Sequence, residues 1–344
     1  ESMTYEIQTS PSTFIDTRIR KQVNVKGIDF PEDLLAELIA KHMSAKVTVA
    51  NPTFATAFEI YMRESNAPAR RKFTENATRN FNYFQAQFGD LPLDELRHIH
   101  GTQFRDAQLA RGLNPTSVRK QFATLNAVLN LAFRHLDINR LSPFRAMHIQ
   151  GEGEITRHME TITPGLLEAV KQRLLRHQVP YRLVGLIQLN TGLRLSEPIF
   201  ARLEDCVLDH EIPHLWVRRN ALSDRKTKAS IRCVPLVGVS LAAAKKLHAI
   251  ATEEGSEWFV PHYARYNGST TCSATMNKCL LDLNFRTHMF RHALIDRMKA
   301  CNDIPTRLAE SITGHHSGGS EFNSYGTVGY TLEQKLAVIK RVEI

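Results

Sequence analysis

Thr191-Gly192-Leu193-Arg194-Leu195-Ser196-Glu197 is the stretch on which the reading of this chain turns. A helix is expected just before it, at about 180 to 190, and another starts after it, so Arg194 falls at a loop-to-helix junction. Ser196 can cap the second helix, and Pro198 is tolerable there because first-turn N–H groups have no intrahelical partner. A guanidinium held at such a place can fork two phosphate oxygens, while neighbouring peptide N–H groups reinforce the positive potential. The blander reading of Arg194 is an ion pair with Glu197 or Glu204.

Toward the C-terminus, short strands fit His214 to Arg218 and Ile231 to Pro235. The polar, basic segment Asn220 to Ser230 would join them as a β-hairpin with a long tip, where Lys226 sits within Arg225-Lys226-Thr227-Lys228. Most such lysines solvate a turn, but a mobile hairpin can deliver an ammonium into a groove. A lysine whose pKa is lowered by nearby arginines can protonate a leaving alkoxide. Helices are expected at 164 to 176, 240 to 252, 287 to 300, 305 to 313 and 331 to 342. His288-Met289-Phe290-Arg291-His292 opens one of them, with His288 and Arg291 on one face at i, i+3 and Met289, Ala293 and Leu294 toward the core. Metal binding by His288 and His292 is the rival reading, but the pair lacks the glutamate that zinc proteases place after the first histidine. Gly314-His315-His316 follows an amphipathic run and brings a second imidazole. Tyr325 lies ten residues beyond His315, with Tyr330 as a nearby competitor; singly, either reads as a packing tyrosine.

Toward the N-terminus, four helical patterns run from Asn51 to Leu136, broken at Ala67-Pro68, Gly89 to Pro92 and Gly112 to Pro115. The clearest begins at Thr116, with Val118, Phe122, Leu125, Leu129, Ala132 and Leu136 as its apolar stripe. Leu141-Ser142-Pro143-Phe144 is expected to stop this last helix. The polar positions carry Arg70, Arg71, Lys72, Arg79, Arg105, Arg111, Arg119 and Lys120, which read singly as a solvated surface and together as a track for a polyanion. Residues 1–46 hold an irregular lead-in and one short amphipathic helix around Leu34, Leu35, Leu38 and Ile39. Gln150 to Thr156 has a linker's composition. The expected organisation is an extension at 1–46, a helical domain at 47–150, a linker at 151–158 and a second domain at 159–344.

The chain has 344 residues, 42% of them hydrophobic and 23% charged, enough for a folded core in each half. The formal net charge of +9 favours a polyanionic partner, because clustered lysine and arginine release counterions from nucleic acid. Five scattered cysteines with no C-x-x-C pair read as reduced, mostly buried thiols, with no structural zinc site expected. No run approaches a membrane span and no apolar signal core opens the chain, so an intracellular protein is expected. The opening Glu1-Ser2 suggests a processed or truncated chain.

Taken in order, TGLRLSE with Arg194, RKTKASIRCVPL with Lys226, HMFRH with His288 and Arg291, GHH with His315 and EFNSYG with Tyr325 resemble the tyrosine recombinases, the phage-integrase-like enzymes. The resemblance spans about residues 47 to 330, and Asn114-Pro115-Thr116 and Ser142-Pro143-Phe144 look like that family's core-binding domain. It implies a mainly α fold with a small β-sheet in the catalytic domain, and two domains closing on DNA as a C-shaped clamp. It implies a site-specific recombinase or integrase in which Tyr325 attacks a phosphodiester and forms a 3′-phosphotyrosyl link. Lys226 would protonate the leaving 5′-oxygen, Arg194 and Arg291 would bind nonbridging oxygens, and His288 and His315 would assist. Neither metal, ATP nor another cofactor is implied.

The implied partners are double-stranded DNA, contacted by Arg70, Arg71, Lys72, Arg79, Arg119 and Lys120, and other copies of the chain. These would be monomers in solution and a homo-tetramer on synapsed DNA, with accessory DNA-bending proteins and no membrane. The implied setting is a cytoplasmic, nucleoid-associated protein encoded by a bacterium, a phage or another mobile element. The spacing to Val234-Pro235 favours Lys226 over Lys228, Pro198 and His316 are unusual for the family, and the first 46 residues show no counterpart to an arm-binding domain. A type IB topoisomerase, or a catalytically silent DNA-binding protein on the same fold, are the alternatives. The first would relax supercoils as a monomer, and the second would need no positioned tyrosine.

Overall fold

The computed structural model describes residues 51–65, 71–154, 161–222, 231–315 and 329–344. The helix expected within residues 1–46, Arg70, much of the expected linker, the hairpin tip with Lys226, and both His316 and Tyr325 lie outside these residues. The chain divides between Arg157 and His158 into two compact units. Each has its own hydrophobic core.

In the first unit the helices are α1 (Phe54–Glu64), α2 (Arg71–Phe88), α3 (His98–Ala110) and α4 (Pro115–His135). Thr53 caps α1 through the Thr56 N–H, and Asn114 caps α4 through the Thr116 N–H at 2.9 Å, with Pro115 in the first turn. The α4 stripe Val118, Phe122, Leu125, Leu129 and Ala132 is buried. Phenylalanines fill the space between helices: Phe54 stacks on Phe81 at 5.3 Å, and Phe104 meets Phe122 edge-on at 5.7 Å. Such pairs add about 0.5–1.5 kcal/mol beyond area burial. α4 stops at His135, before the Leu141-Ser142-Pro143-Phe144 segment expected to end it. That segment instead folds back on the bundle. Asn126 donates to the Phe144 carbonyl at 3.1 Å, and Phe144 inserts fully into the core. Gly101 leaves room for this return, since a Cβ there would lie 2.4 Å from Met147 Cε.

In the second unit the elements are α5 (Pro164–Leu175), α6 (Pro180–Thr191), α7 (Ser196–Ile199), β1 (Cys206–Val207), β2 (His214–Val217), β3 (Arg232–Pro235), α8 (Gly238–Glu253), α9 (Gly268–Cys279), α10 (Met289–Lys299), α11 (Thr306–Thr313) and α12 (Leu332–Arg341). Helix α6 is the axle. Every residue from Leu183 to Thr191 is buried, and α5, α8, α9 and α10 pack around it. A helix buried on all sides belongs inside a bundle, and its polar Gln188, Asn190 and Thr191 are hydrogen-bonded there. The sheet is antiparallel in the order β1-β2-β3, with Val217 opposite Arg232 and Leu215 opposite Val234. Since strand side chains alternate, Arg232 shares the inward face with Val234.

Two elements were not expected. The two-residue β1 is too short to carry a pattern. Helix α9 is rich in Ser, Thr and Cys, whose local hydrogen bonding and stiff χ1 weaken a helical signal, and only Gly268, Cys272 and Met276 mark its buried face. The chain is therefore mainly α with a small sheet in its second unit. Among the described residues no helix is long and apolar enough to cross a membrane.

Candidate active site

Arg194 owes its position to the end of α6. Gly192 closes that helix in the left-handed conformation (φ 59°), its N–H bonded to the Gln188 carbonyl at 2.9 Å. The Gln188 side chain then holds the Leu193 carbonyl at 2.8 Å, and Leu193 is fully buried. The next residue must turn outward, and the Arg194 side chain is 40% exposed. Ser196 is not the cap of α7: it lies within the first turn, preceded by Leu195 in helical geometry. Glu197 does the bracing instead. Its fully buried carboxylate accepts the Arg194 N–H at 2.8 Å and Arg194 Nη1 at 3.2 Å. The ion pair weighed as the blander reading of Arg194 thus exists, and it occupies one edge of a guanidinium that remains open to solvent.

The same carboxylate receives Arg232 from β3. Nη2 reaches Oε2 at 2.8 Å, Nη1 reaches Oε1 at 3.2 Å, and Nε donates to the Ile312 carbonyl at 2.8 Å. Sequence reasoning named Glu197 only as a rival partner for Arg194 and did not single out Arg232. A detectable signal was present, because an arginine on the inward face of a strand demands a buried partner.

Arg291 comes from the first turn of α10 and is only 3% exposed. Nη1 donates to the Gly192 carbonyl at 3.1 Å, and Nη2 lies 3.2–3.3 Å from the His315 ring nitrogens. Among the described residues no carboxylate lies within ion-pair distance of it. Burial first, then the like charge of Arg194, pushes its pKa down to about 10, with Glu197 opposing. It therefore stays charged at neutral pH. Arg297 is likewise pushed to about 10 by burial, but the Leu189, Ala293 and Val342 carbonyls surround it, so its role is packing.

His315 follows Gly314, the left-handed C-cap of α11 (φ 70°), and its Nδ1 lies 3.1 Å from the Thr313 hydroxyl. His288 immediately precedes α10 and is exposed. The turn before it is pinned to α9, because Asn277 accepts the Thr287 N–H at 2.9 Å. Partial burial, then neighbouring cations, holds both imidazoles below the usual histidine range. A neutral ring is what an arginine N–H requires as an acceptor. His288 and His292 stack edge to face at 4.8 Å. Among the described residues no three His, Cys, Asp or Glu side chains converge on a possible metal position.

Arg194, Arg291 and His315 thus come together through the ends of α6, α10 and α11, with His288 on the turn that opens α10. Among the described residues Arg194 and Arg232 share the Glu197 carboxylate and Arg291 has no carboxylate at ion-pair distance, an excess of positive charge suited to an anion. The basic residues of the first unit are divided. Lys72 and Lys120 are exposed. Arg71 pairs with Glu75 at 3.1 Å, and Arg79 donates to Asn76 at 2.7 Å. Arg119 forks Glu152 and reaches the Met147 carbonyl, tying α4 to the segment after it. Arg105 and Arg111 are also engaged, with the His148 carbonyl and the Tyr83 ring. Cys206 and Cys272 are buried, with thiols pushed up to about 12, and the other three cysteines are half-buried.

The fold is shared with enzymes of known structure. The Tn1549 transposon integrase, solved in complex with transposon right end DNA, is 16% identical, with 83% of this chain and 98% of that one covered and a TM-score of 0.54. A lambda integrase tetramer bound to a Holliday junction is 14% identical over 87% of this chain and 85% of that one, with a TM-score of 0.58. A lambda integrase dimer bound to a COC' core site covers 77% and 92% at 14% identity and a TM-score of 0.56. The second unit therefore has the fold of a tyrosine recombinase catalytic domain. Residues 161–330, most of the second unit, match the phage integrase family model, so this unit is a phage integrase family domain with the tyrosine recombinase fold. Among curated protein sequences none matches the chain.

Proposed function

We propose that this chain is a site-specific DNA recombinase that cuts and rejoins strands through a 3′-phosphotyrosyl intermediate on Tyr325. The observation that carries the reading is Arg291: a buried guanidinium with a carbonyl and an imidazole beside it, and no carboxylate at ion-pair distance among the described residues. A scissile phosphate supplies the missing negative charge. Arg194, half-exposed beside it, binds the second nonbridging oxygen, so both arginines neutralise the charge that grows as the phosphorus becomes pentacoordinate. His315, held neutral, accepts the tyrosine proton or bonds a phosphate oxygen, and His288 assists from the mouth of the site. Lys226 protonates the 5′-oxygen as it leaves. The phosphotyrosyl bond conserves the energy of the broken phosphodiester, so a 5′-hydroxyl of another duplex rejoins it without ATP or metal.

In this reading Arg70 and the exposed basic residues Arg71, Lys72, Arg79 and Lys120 of the helical unit follow the DNA backbone, and both units contact the duplex. Four copies exchange two pairs of strands, as the lambda integrase tetramer on a Holliday junction suggests. Integration or excision of mobile DNA fits the Tn1549 likeness, and accessory DNA-bending proteins would set its direction.

The test is a denaturing-gel assay for a covalent protein–DNA adduct. Nicked duplexes tiled across the DNA flanking the gene are incubated with wild type and with Tyr325→Phe. An adduct lost only in the variant supports the reading. An adduct that persists moves the nucleophile to Tyr330, and binding without any adduct favours a silent DNA-binding protein.

A further inference from the structure

We propose that Arg232 is a positioning residue of this site: its forked ion pair with Glu197 keeps the Arg194 guanidinium available to an anion and holds the turn that carries His315. The inference rests on the recombinase reading for what the anion is, but its geometry stands by itself. Glu197 is fully buried and, among the described residues, reaches Arg194 and Arg232. Both its oxygens are taken by Arg232, at 2.8 and 3.2 Å, from a guanidinium only 3% exposed. The Arg194 side chain shares that carboxylate through Nη1 alone, at 3.2 Å. Without Arg232 the carboxylate would turn to Arg194, the other arginine it bonds. Two opposite charges would then cancel where the site needs net positive charge.

The third arm of Arg232 acts on the other side. Nε donates to the Ile312 carbonyl at the end of α11, where orphan carbonyls need donors. A Cβ on Gly314 would lie 2.6 Å from Nη1, so the turn into His315 passes directly over the guanidinium. One planar group thereby ties the Glu197 brace of Arg194 to the Gly314–His315 turn. Lysine cannot replace it, because an ammonium is a point donor and cannot fork a carboxylate while also reaching a third oxygen. Among the described residues the groups facing His315 are Arg291 from α10, Arg194 from the α6–α7 turn, Glu310 and Thr313 from α11, and Arg232 from β3.

Three variants test this: Arg232→Lys, Arg232→Met, and Arg232→Met combined with Glu197→Gln, which removes both buried charges and protects the fold. Melting curves establish folding, and two readouts follow. The first is the single-turnover rate of adduct formation on the same tiled nicked duplexes, beside their affinity by mobility shift. Arg232→Met should keep affinity within about threefold and slow adduct formation about a hundredfold, as loss of a transition-state donor does. Arg232→Lys should not rescue it. The double variant should recover part of the rate, because an uncharged amide in place of the carboxylate no longer claims Arg194; a double variant no faster than Arg232→Met overturns the counter-ion role. The second readout is the His315 titration by NMR of ¹³C-labelled histidine in the free protein. Arg232→Lys keeps the charge, so a His315 titration identical to wild type overturns the positioning of the turn, and a shifted one supports it. If wild type forms no adduct on any duplex, the recombinase reading falls, and the His315 titration still decides the positioning claim.

Discussion

A buried guanidinium beside an imidazole, such as Arg291 beside His315, is stable only with its proton traffic settled: the arginine charged, the histidine neutral. That arrangement carries a pH signature. The folded state binds protons on His288 and His315 less readily than the unfolded chain does, since both values are lowered. Stability is thus unaffected by them above the ordinary histidine value of about 6.5, and is lost as pH falls through that value toward the lowered ones. Replacing both with Asn should shrink the drop in melting temperature between pH 7.5 and about 5.5, and an unchanged drop would remove them as its source. Arg194→Ala should slow adduct formation about a hundredfold or more while leaving the melting curve nearly unchanged; unaltered cleavage would take Arg194 out of the chemistry. Gly192→Ala should act the opposite way, on stability. Its Cβ would sit 2.6 Å from Leu294 Cδ2 at a φ of 59°, a strain of about 1–3 kcal/mol readable by urea denaturation. Arg194, His288, Arg291 and His315 could be named as candidates from residue type and the order of their motifs along the chain. Arg232 could be suspected from its inward place on β3, but its partner could not be named, because Glu197 lies 35 residues earlier in the chain.

At the scale of elements, the last helix is the informative one. Leu332, Leu336 and Ile339 fall at helical spacing, a pattern that suits cover for the chain's own core as well as for a neighbour's. In the structure α12 packs on its own unit: Val338, Ile339 and Val342 join the second core, and Ile344 exchanges two hydrogen bonds with Asn190 of α6. Lys335 is buried with it, donating to the Cys233 carbonyl at 3.2 Å, and burial holds its pKa below the usual lysine range. Ile339→Ala should therefore cost the isolated protein about 2–5 kcal/mol in urea denaturation, the range for a fully buried aliphatic side chain. A cost below about 1 kcal/mol would mean that the helix is only loosely held in solution. Helices such as α4 and α6 were readable because long apolar runs with good caps outweigh context. Helix α9 was not, because packing against α6 stabilises a segment whose own composition does not favour a helix.

For the molecule as a whole, the two separate cores predict independent folding. A fragment of residues 158–344 should unfold cooperatively by calorimetry, since its core draws no residue from the other unit. The full chain should bind duplex DNA with a steep salt dependence. With about four phosphates neutralised, affinity falls about a hundredfold between about 50 and 200 mM salt, whereas a flat response would contradict a basic clamp. The fragment, lacking Arg71, Lys72, Arg79 and Lys120, should show a shallower slope. By itself the sequence determined the helices, through periodicity and caps, and pointed to the class through the resemblance of a few ordered motifs, all of them local properties written along the chain. The tertiary structure alone decided which arginine neutralises the Glu197 carboxylate and what α12 covers. Those are long-range pairings, set by the close packing of α6, β3 and α10 to α12, and no spacing along the chain encodes them.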